Sequence, residues 1–365
     1  MRAALLEESQ KPLSIVDDIV HEDPRPGEVV VKVSNCGICH SDLTMIDTPG
    51  GAQAPTILGH EAAGIVEEVG PGVTRLAKGD RVMLTPLPPC GNCYYCVRSQ
   101  PTLCVDGQTF MTGMRPDGTT PFTRGGESVL RGLNVAGFGE YTVVSELAAV
   151  KLPEDTPLDI VCVIGCAIQT GVGAVLNTAK VPEGATVFVA GLGGIGVSII
   201  QGARLAGASR IIASDPVGER RDMASNFGAT DVLDPTQEDV VAKAKELTGG
   251  IGVDYAFDGA GSAKVIQDCI NASRLGGTTV MVGAPMDPVL EIPIPALFLT
   301  HEKKITGSLL GSCNSHRDVA RFVALWQAGK LDFENMISHR RPIADINEGL
   351  EDLRHGRGIR TVLSF

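Results

Sequence analysis

The stretch Thr186 to Asp215, TVFVAGLGGIGVSIIQGARLAGASRIIASD, constrains this chain more than any other. Val187, Phe188, Val189 and Ala190 form a short apolar run rich in β-branched and aromatic residues, which predicts a buried strand. Gly191, Gly193 and Gly196 follow as G-x-G-x-x-G, with Gly194 and Ile195 inside the motif. Val197 to Leu205 recur at helical spacing, and Arg210 to Ser214 form a second apolar strand ending at Asp215. Each part has a physical job. The first glycine permits a tight turn, the second lets a pyrophosphate approach the backbone, and the third lets helix and strand pack closely. The helix N-terminus offers free N–H groups and partial positive charge to the phosphates. A carboxylate ending the second strand accepts both hydroxyls of an adenosine ribose and repels a 2′-phosphate. The pattern predicts a dinucleotide site with NAD over NADP, a preference that the nearby Arg220 and Arg221 weaken. The competing readings are a plain βαβ turn packed for its own sake and a membrane helix over Val187 to Ile200. That run falls short of the ~20 residues a span needs.

A length of 365 residues exceeds one compact core and suits two domains, and 43% hydrophobic content supports full cores. A net charge of −12 argues against sequence-independent nucleic-acid binding, which needs a basic face. The N-terminal MRAALLEESQKP carries acids where a secretory signal needs an apolar core. No targeting or membrane segment is therefore expected, and the expected location is cytoplasmic. Ten cysteines in a reducing compartment read as metal ligands or core thiols, not disulfides.

Along the chain, Glu28 to Val33 follows a Pro26–Gly27 turn and predicts a strand. The region onward through NCGICHSD (Asn35 to Asp42), the strand-like stretch to Val69 and the turn Gly79 to Val82 reads as all-β, without helical period. Val105 to Gly139 is polar and Gly-rich and predicts a long, partly ordered surface segment suited to rim a pocket or an interface. Tyr141 to Val144 and Ala148 to Leu152 return to strand. A helix is expected to open near Thr170. After Asp215, a strand (Val253 to Phe257), a helix (Ala263 to Ser273) and a strand (Thr278 to Val282) alternate, which implies an open parallel sheet wound on both faces. Val319 to Gln327 is amphipathic, and Arg360 to Phe365 ends the chain as a strand.

Cys90, Cys93, Cys96 and Cys104 are spaced C-x2-C-x2-C-x7-C in a loop containing Gly and Pro. Four thiolates at such spacing close a tetrahedron around a structural zinc with no spare ligand position. An iron–sulfur cluster is the rival, but the fourth cysteine of the ferredoxin pattern follows after three residues and precedes Pro. Among the other six, Cys39 and Cys166 draw attention beside His60. Two thiolates and one imidazole make a three-ligand zinc site with an open fourth position. Being far apart in sequence, the three also fit two buried small thiols and a core histidine.

The whole chain resembles the zinc-dependent medium-chain alcohol dehydrogenases. The matching pieces are GICHSD (Gly37 to Asp42), GHEAAGIVEEVGPGV (Gly59 to Val73), GDRV (Gly79 to Val82), the four-cysteine loop, GC-x3-TG (Gly165 to Gly171), GLGGIG (Gly191 to Gly196) and GIRTVLSF (Gly358 to Phe365). They span nearly the full length in the family's order. The resemblance implies an α/β architecture. A barrel-like β (GroES-like) catalytic domain over 1–167, continued by 310–365, would accompany a doubly wound Rossmann domain over 168–309. It implies a catalytic zinc on Cys39, His60 and Cys166, a structural zinc on the four-cysteine loop, and NAD. Asp42 would orient His60, Glu61 would approach the metal during ligand exchange, and Ser41 would take the alcohol proton. His40 and Arg360 would meet the pyrophosphate, Thr170 the nicotinamide side, and Asp215 and Arg220 the adenosine ribose; for Arg360, residue type alone suggests a solvated surface charge.

The proton relay of well-known members ends in a His three residues after the Ser; here that position is Thr44. The resemblance further implies an oxidoreductase that pairs into a homodimer, with a homotetramer as the alternative. The segment Gly165 to Gly173 is similar to aryl- and allyl-alcohol dehydrogenases and favours a bulky apolar primary alcohol. Two other readings are carried. One is a thiol-dependent dehydrogenase of S-hydroxymethyl adducts, for which Arg115, Arg124 and Arg131 would supply a basic pocket rim. The other is a non-catalytic NAD-binding zinc protein.

Overall fold

The computed structural model describes residues 1–284 and 289–365, without the side chain of residue 110. The chain divides into two compact units. One comprises Met1–Cys166, Asn314–Gln327 and Phe333–Phe365; the other comprises Ala167–Cys313 and Ala328–Asp332. Among the described residues no single helix is long and apolar enough to cross a membrane.

The first unit is built of two mixed sheets. In the larger, the central strand Glu28–Ile38 pairs antiparallel with Glu61–Val69, Tyr141–Ser145 and Arg360–Ser364. Glu28–Ile38 forms a strand because Val29 to Val33 is nearly all β-branched, and it is buried because other strands pack around it. A Pro-Gly turn with Gly27 at φ 78° starts it. Its far end leads through Cys39 into a helix, His40–Asp47. That helix corrects the all-β expectation for this region. Its sequence lacks an extended apolar period, and its start is fixed by a capping box between Cys39 and Asp42 instead. The smaller sheet runs Ser14–Val16, Ala3–Leu6, Thr56–Ile57, Glu127–Arg131, Phe122–Arg124 and Ile19–His21. Between the sheets lies a core that includes Leu5, Ile19, Val31, Ile38, Phe122, Phe138 and Leu363.

The segment Val105 to Gly139, read as a surface segment, is largely built into this unit. It supplies the two strands Phe122–Arg124 and Glu127–Arg131, and Val129, Val135, Ala136 and Phe138 are fully buried. Its polar residues mislead in part because two of its arginines find internal partners and a third pairs at the surface. Arg115 donates to both oxygens of Glu28 at 2.7 and 2.8 Å and to Glu22. Arg124 pairs with Asp18 and Glu7. The buried Arg131 donates to the Val143 carbonyl.

The second unit carries a six-stranded sheet with all neighbours parallel. Its order is Asp231–Leu233, Arg210–Ser214, Thr186–Ala190, Val253–Asp258, Ser273–Met281 and Lys304–Gly307. In chain order this is 3-2-1-4-5-6, the doubly wound Rossmann arrangement, whose order reverses beside the first strand. Strands such as Val187 to Ala190 read as unbroken apolar runs because helices cover both faces. The helix expected near Thr170 spans Ala167–Gly173, so Thr170 sits inside it.

Candidate functional site

Two constellations stand out, one in each unit, together with a four-cysteine lobe in the first. The first begins where the strand Glu28–Ile38 ends. Cys39 caps the following helix, and Asp42, at its third position, turns back to accept the Cys39 backbone N–H at 3.1 Å. The opposite carboxylate oxygen of Asp42 accepts the Gly59 N–H at 3.0 Å and lies 3.0 Å from His60 Nδ1. Asp42 is fully buried, so this carboxylate fixes both the entry to His60 and the ring's orientation. With Nδ1 held, Nε2 is the nitrogen left to face the thiols. Cys166 arrives from a short helical turn, Cys162–Gly165, and its Sγ stands 3.9 Å from that of Cys39. Donor atoms of Cys39, His60, Glu61 and Cys166 all lie within 4.8 Å of one another. Residues 127 positions apart in sequence thus converge on one point.

Protonation follows the geometry. Hydrogen bonding from Cys166 pulls the Cys39 thiol well below its usual range, and the same contact pushes Cys166 up. Burial opposes a charge on His60, but the Asp42 charge and hydrogen bond outweigh it and raise the imidazole. Burial pushes the Glu61 carboxyl up to about 8, against the opposing charge of Arg360. Arg360 lies 3.4 Å from Glu61 and donates to the Ile38 carbonyl at 2.8 Å. Far from being a solvated charge, it is buried. Gly37, opposite Glu61 in the sheet, leaves the room that the carboxylate fills, for a Cβ there would collide with it. Only the structure reveals that use of Gly37. Ser41 Oγ lies 3.9 Å from Cys39 Sγ. His40 is exposed on the first turn, and Thr44 is half-buried one turn on.

Two soft sulfurs and an imidazole whose second nitrogen is anchored make a donor set that fits zinc with room for a further ligand. The lobe fits zinc differently. The Sγ atoms of Cys90, Cys93, Cys96 and Cys104 also lie within 4.8 Å of one another. The Cys90 N–H reaches Cys104 Sγ at 3.3 Å, and amides of Cys96 and Val105 draw the Cys93 thiol down to about 6. Four thiols in a cage of N–H donors form a closed site.

In the second unit the glycine loop leaves the strand Thr186–Ala190 and enters the helix Gly194–Leu205, capped by Gly193. Gly191 takes φ 91°, which suits only glycine there. A Cβ on Gly193 would meet nothing within 4 Å, so the backbone is open to a ligand, whereas one on Gly196 would collide with the Gly191 carbonyl. Ile195 is half-buried on the first turn. Asp215 accepts the Leu192 N–H at 2.6 Å and the Val217 N–H at 2.8 Å, which sets it beside the loop. Arg220 approaches its carboxylate at 4.0 Å, and Arg221 donates to the Asp215 carbonyl. Thr170 is buried in its helix.

Comparison with known proteins gives the family. Residues 25–154 match the alcohol dehydrogenase GroES-like domain, and residues 194–328 match the zinc-binding dehydrogenase model. The NDMA-dependent alcohol dehydrogenase of Amycolatopsis methanolica is 36% identical over 99% of this chain and 98% of its own length. The chain belongs to the zinc-dependent medium-chain alcohol dehydrogenase family. A second family member, S-(hydroxymethyl)glutathione dehydrogenase of Paracoccus denitrificans, is 38% identical over 100% of this chain and 99% of its own. Benzyl alcohol dehydrogenase of Acinetobacter calcoaceticus superposes with a TM-score of 0.93 at 30% identity, covering 100% of this chain and 99% of that one. This alcohol dehydrogenase family member is an oxidoreductase with a GroES-like domain and a Rossmann sheet.

Proposed function

We propose that this dehydrogenase holds two zinc ions and NAD per chain and interconverts a bulky, apolar primary alcohol with its aldehyde. The observation that carries the reading is the convergence of Cys39, His60 and Cys166 with Asp42 behind the imidazole. We assign that catalytic role to the segment 1–167 with 310–365, and dinucleotide binding to 168–309.

Cys39, His60 and Cys166 would hold the catalytic zinc, and Cys90, Cys93, Cys96 and Cys104 the structural one. When bound, the catalytic zinc supplies Lewis-acid polarisation of the alcohol or carbonyl oxygen. Asp42 keeps the His60 Nδ1 proton in place, so that Nε2 stays a neutral donor. Glu61 can approach the metal during ligand exchange, and Arg360 offsets its charge. Ser41, beside Cys39, is positioned to take the alcohol proton. With Thr44 where well-known members place a His, the proton would leave by another route, through His40, the cofactor ribose hydroxyls or water. His40 and Arg360 are assigned to the pyrophosphate and Thr170 to the nicotinamide side. Gly191, Gly193, Gly194, Ile195 and Gly196 would take the phosphates. Asp215, with Arg220, would take the ribose hydroxyls, which favours NAD over NADP.

The bulky apolar substrate is supported by a cavity of about 250 Å³ at the far end of the helix that starts after Cys39. Met45, Met111, Met114, Leu130 and Leu133 line it, a soft surface that adapts to large apolar groups. The S-hydroxymethyl alternative draws support from the Paracoccus relative. Against it stand the buried pairing of Arg115 with Glu28 and the burial of Arg131, which leave Arg124, itself paired with Asp18 and Glu7, as the one of the three with an exposed face. A non-catalytic binder has no need of an open three-donor site. On the same reading the chain works as a homodimer in the cytoplasm. The deciding experiment counts zinc and then scores an alcohol panel by reduced-nicotinamide absorbance. Benzyl-type alcohols turning over fastest supports the reading. Turnover of formaldehyde only with added glutathione selects the alternative, and one zinc per chain with no turnover selects the binder.

A further inference from the structure

Three loops meet where the sheet of the second unit reverses its order, and one buried side chain stitches them together. Asp258 ends the strand Val253–Asp258 directly opposite Ala190, the last residue before the glycine loop. Its carboxylate Oδ1 accepts two backbone N–H groups, from Ala260 at 3.0 Å and Gly261 at 2.9 Å. Its carbonyl accepts two more, from Val282 at 3.1 Å and Gly283 at 3.0 Å. The next residue, Gly259, donates to the Ala190 carbonyl at 2.8 Å. The turn held in this way presses on the dinucleotide loop. A Cβ on Gly191 would come within 2.8 Å of the Ala260 nitrogen, and one on Gly259 within 3.0 Å of the Gly191 carbonyl oxygen. Neither loop can move without the other.

We propose that Asp258 is a positioning residue for the dinucleotide: by clamping the turn Gly259–Gly261 it fixes the glycine loop in the shape that receives the pyrophosphate. This rests on the dinucleotide reading given above. The aspartate itself touches no ligand in this role, since its side chain is fully buried. Its strength lies in preorganisation, because a loop already held pays less ordering cost when the cofactor binds. Burial pushes the Asp258 carboxyl above its usual range, against the two amides that hold it down.

The test uses full-length, zinc-loaded protein and compares Asp258→Ala, Asp258→Asn and Asp258→Ser. Asparagine keeps an acceptor oxygen for both amides; serine offers a shorter, weaker one. The expected result is an increase of about tenfold in the NAD dissociation constant for alanine, as two charge-assisted hydrogen bonds are lost. Asparagine should stay within about twofold of the parent and serine should fall between. KM for NAD should rise in step, while kcat at saturating NAD and KM for the alcohol stay near the parent values. Rescue by asparagine together with that split separates positioning from general loss of structure. NAD affinity in alanine equal to the parent's overturns the proposal, as does a loss in asparagine as large as in alanine. If alanine does not fold, serine carries the comparison, and parental affinity there overturns it equally. Parental protein that binds no NAD would sink the dinucleotide reading itself, a result distinct from any change between variants.

Discussion

Asp42 Oδ1 lies 3.0 Å from His60 Nδ1 while also accepting the backbone N–H of Gly59, so one oxygen sets both the position and the tautomer of the histidine. Asp42→Asn keeps an acceptor for only one of the two amides, because Cys39 and Gly59 use different carboxylate oxygens, and it loses the charge behind the ring. The catalytic site should then bind zinc about 10–100-fold more weakly. Competition with a chelator, read by metal analysis, checks this, with the four-cysteine zinc expected to stay put.

Cys39→Ser should lower the zinc content from two per chain to one. Turnover should fall by roughly a thousandfold or more, since the metal supplies several kcal/mol of charge stabilisation. The dissociation constant for NAD should be unchanged. Near-normal activity with only the lobe zinc present would remove Cys39 from the catalytic assignment.

The two glycines of the dinucleotide loop should fail in different ways. Gly193 has φ −70° and open space where a Cβ would go, so Gly193→Ala should fold normally and bind NAD about tenfold more weakly. Gly196→Ala meets the Gly191 carbonyl and should instead lower the thermal midpoint. Calorimetry alongside NAD titration separates the two.

Glu28 and Arg115 form a bidentate pair inside the first unit. Burial pushes the Glu28 carboxyl up, but the Arg115 guanidinium and the Arg25 amide hold it below its ordinary value of 4.5. Its folded-state value is depressed, so its contribution is present above 4.5 and is lost as pH falls through the folded value. Glu28→Gln should cost roughly 2 kcal/mol at pH 7, because the buried guanidinium loses its bidentate carboxylate and keeps only Glu22. The gap between variant and parent should narrow as the medium is acidified below that range. Denaturant titrations at several pH values measure it.

The lobe predicts a separable defect. Cys104, nearly fully buried, closes the four-sulfur cage, and Cys104→Ala should release its zinc and expose residues 90–104 to protease. Mass spectrometry of a limited digest locates the cut.

Much of this was written in local sequence. The Rossmann loop was legible because strand, glycines, helix and Asp215 sit within thirty residues and each does its work locally. The four-cysteine lobe was legible for the same reason. The catalytic cluster was not, because Cys39, His60 and Cys166 come together only through tertiary pairing, and family resemblance carried it. The helix His40–Asp47 was missed since a capping box, not an apolar period, starts it. The segment Val105 to Gly139 was read correctly over much of its first two-thirds, which is exposed and helps line a cavity, and misread over 129–139, which is buried core, because polarity suggests solvent whereas Arg131 finds a carbonyl inside the unit. The edge strand Lys304–Gly307 is only four residues long and leaves little side-chain pattern to read.

The strand Arg360–Ser364 lies against Glu28–Ile38, and its arginine reaches the Ile38 carbonyl across 322 residues of sequence. A nascent polypeptide therefore cannot finish this sheet while the ribosome is still making the Rossmann portion. Until residue 360 has been made, Glu61 lacks its counter-charge. A product cut short before residue 360 is left without the arginine that neutralises its buried acid.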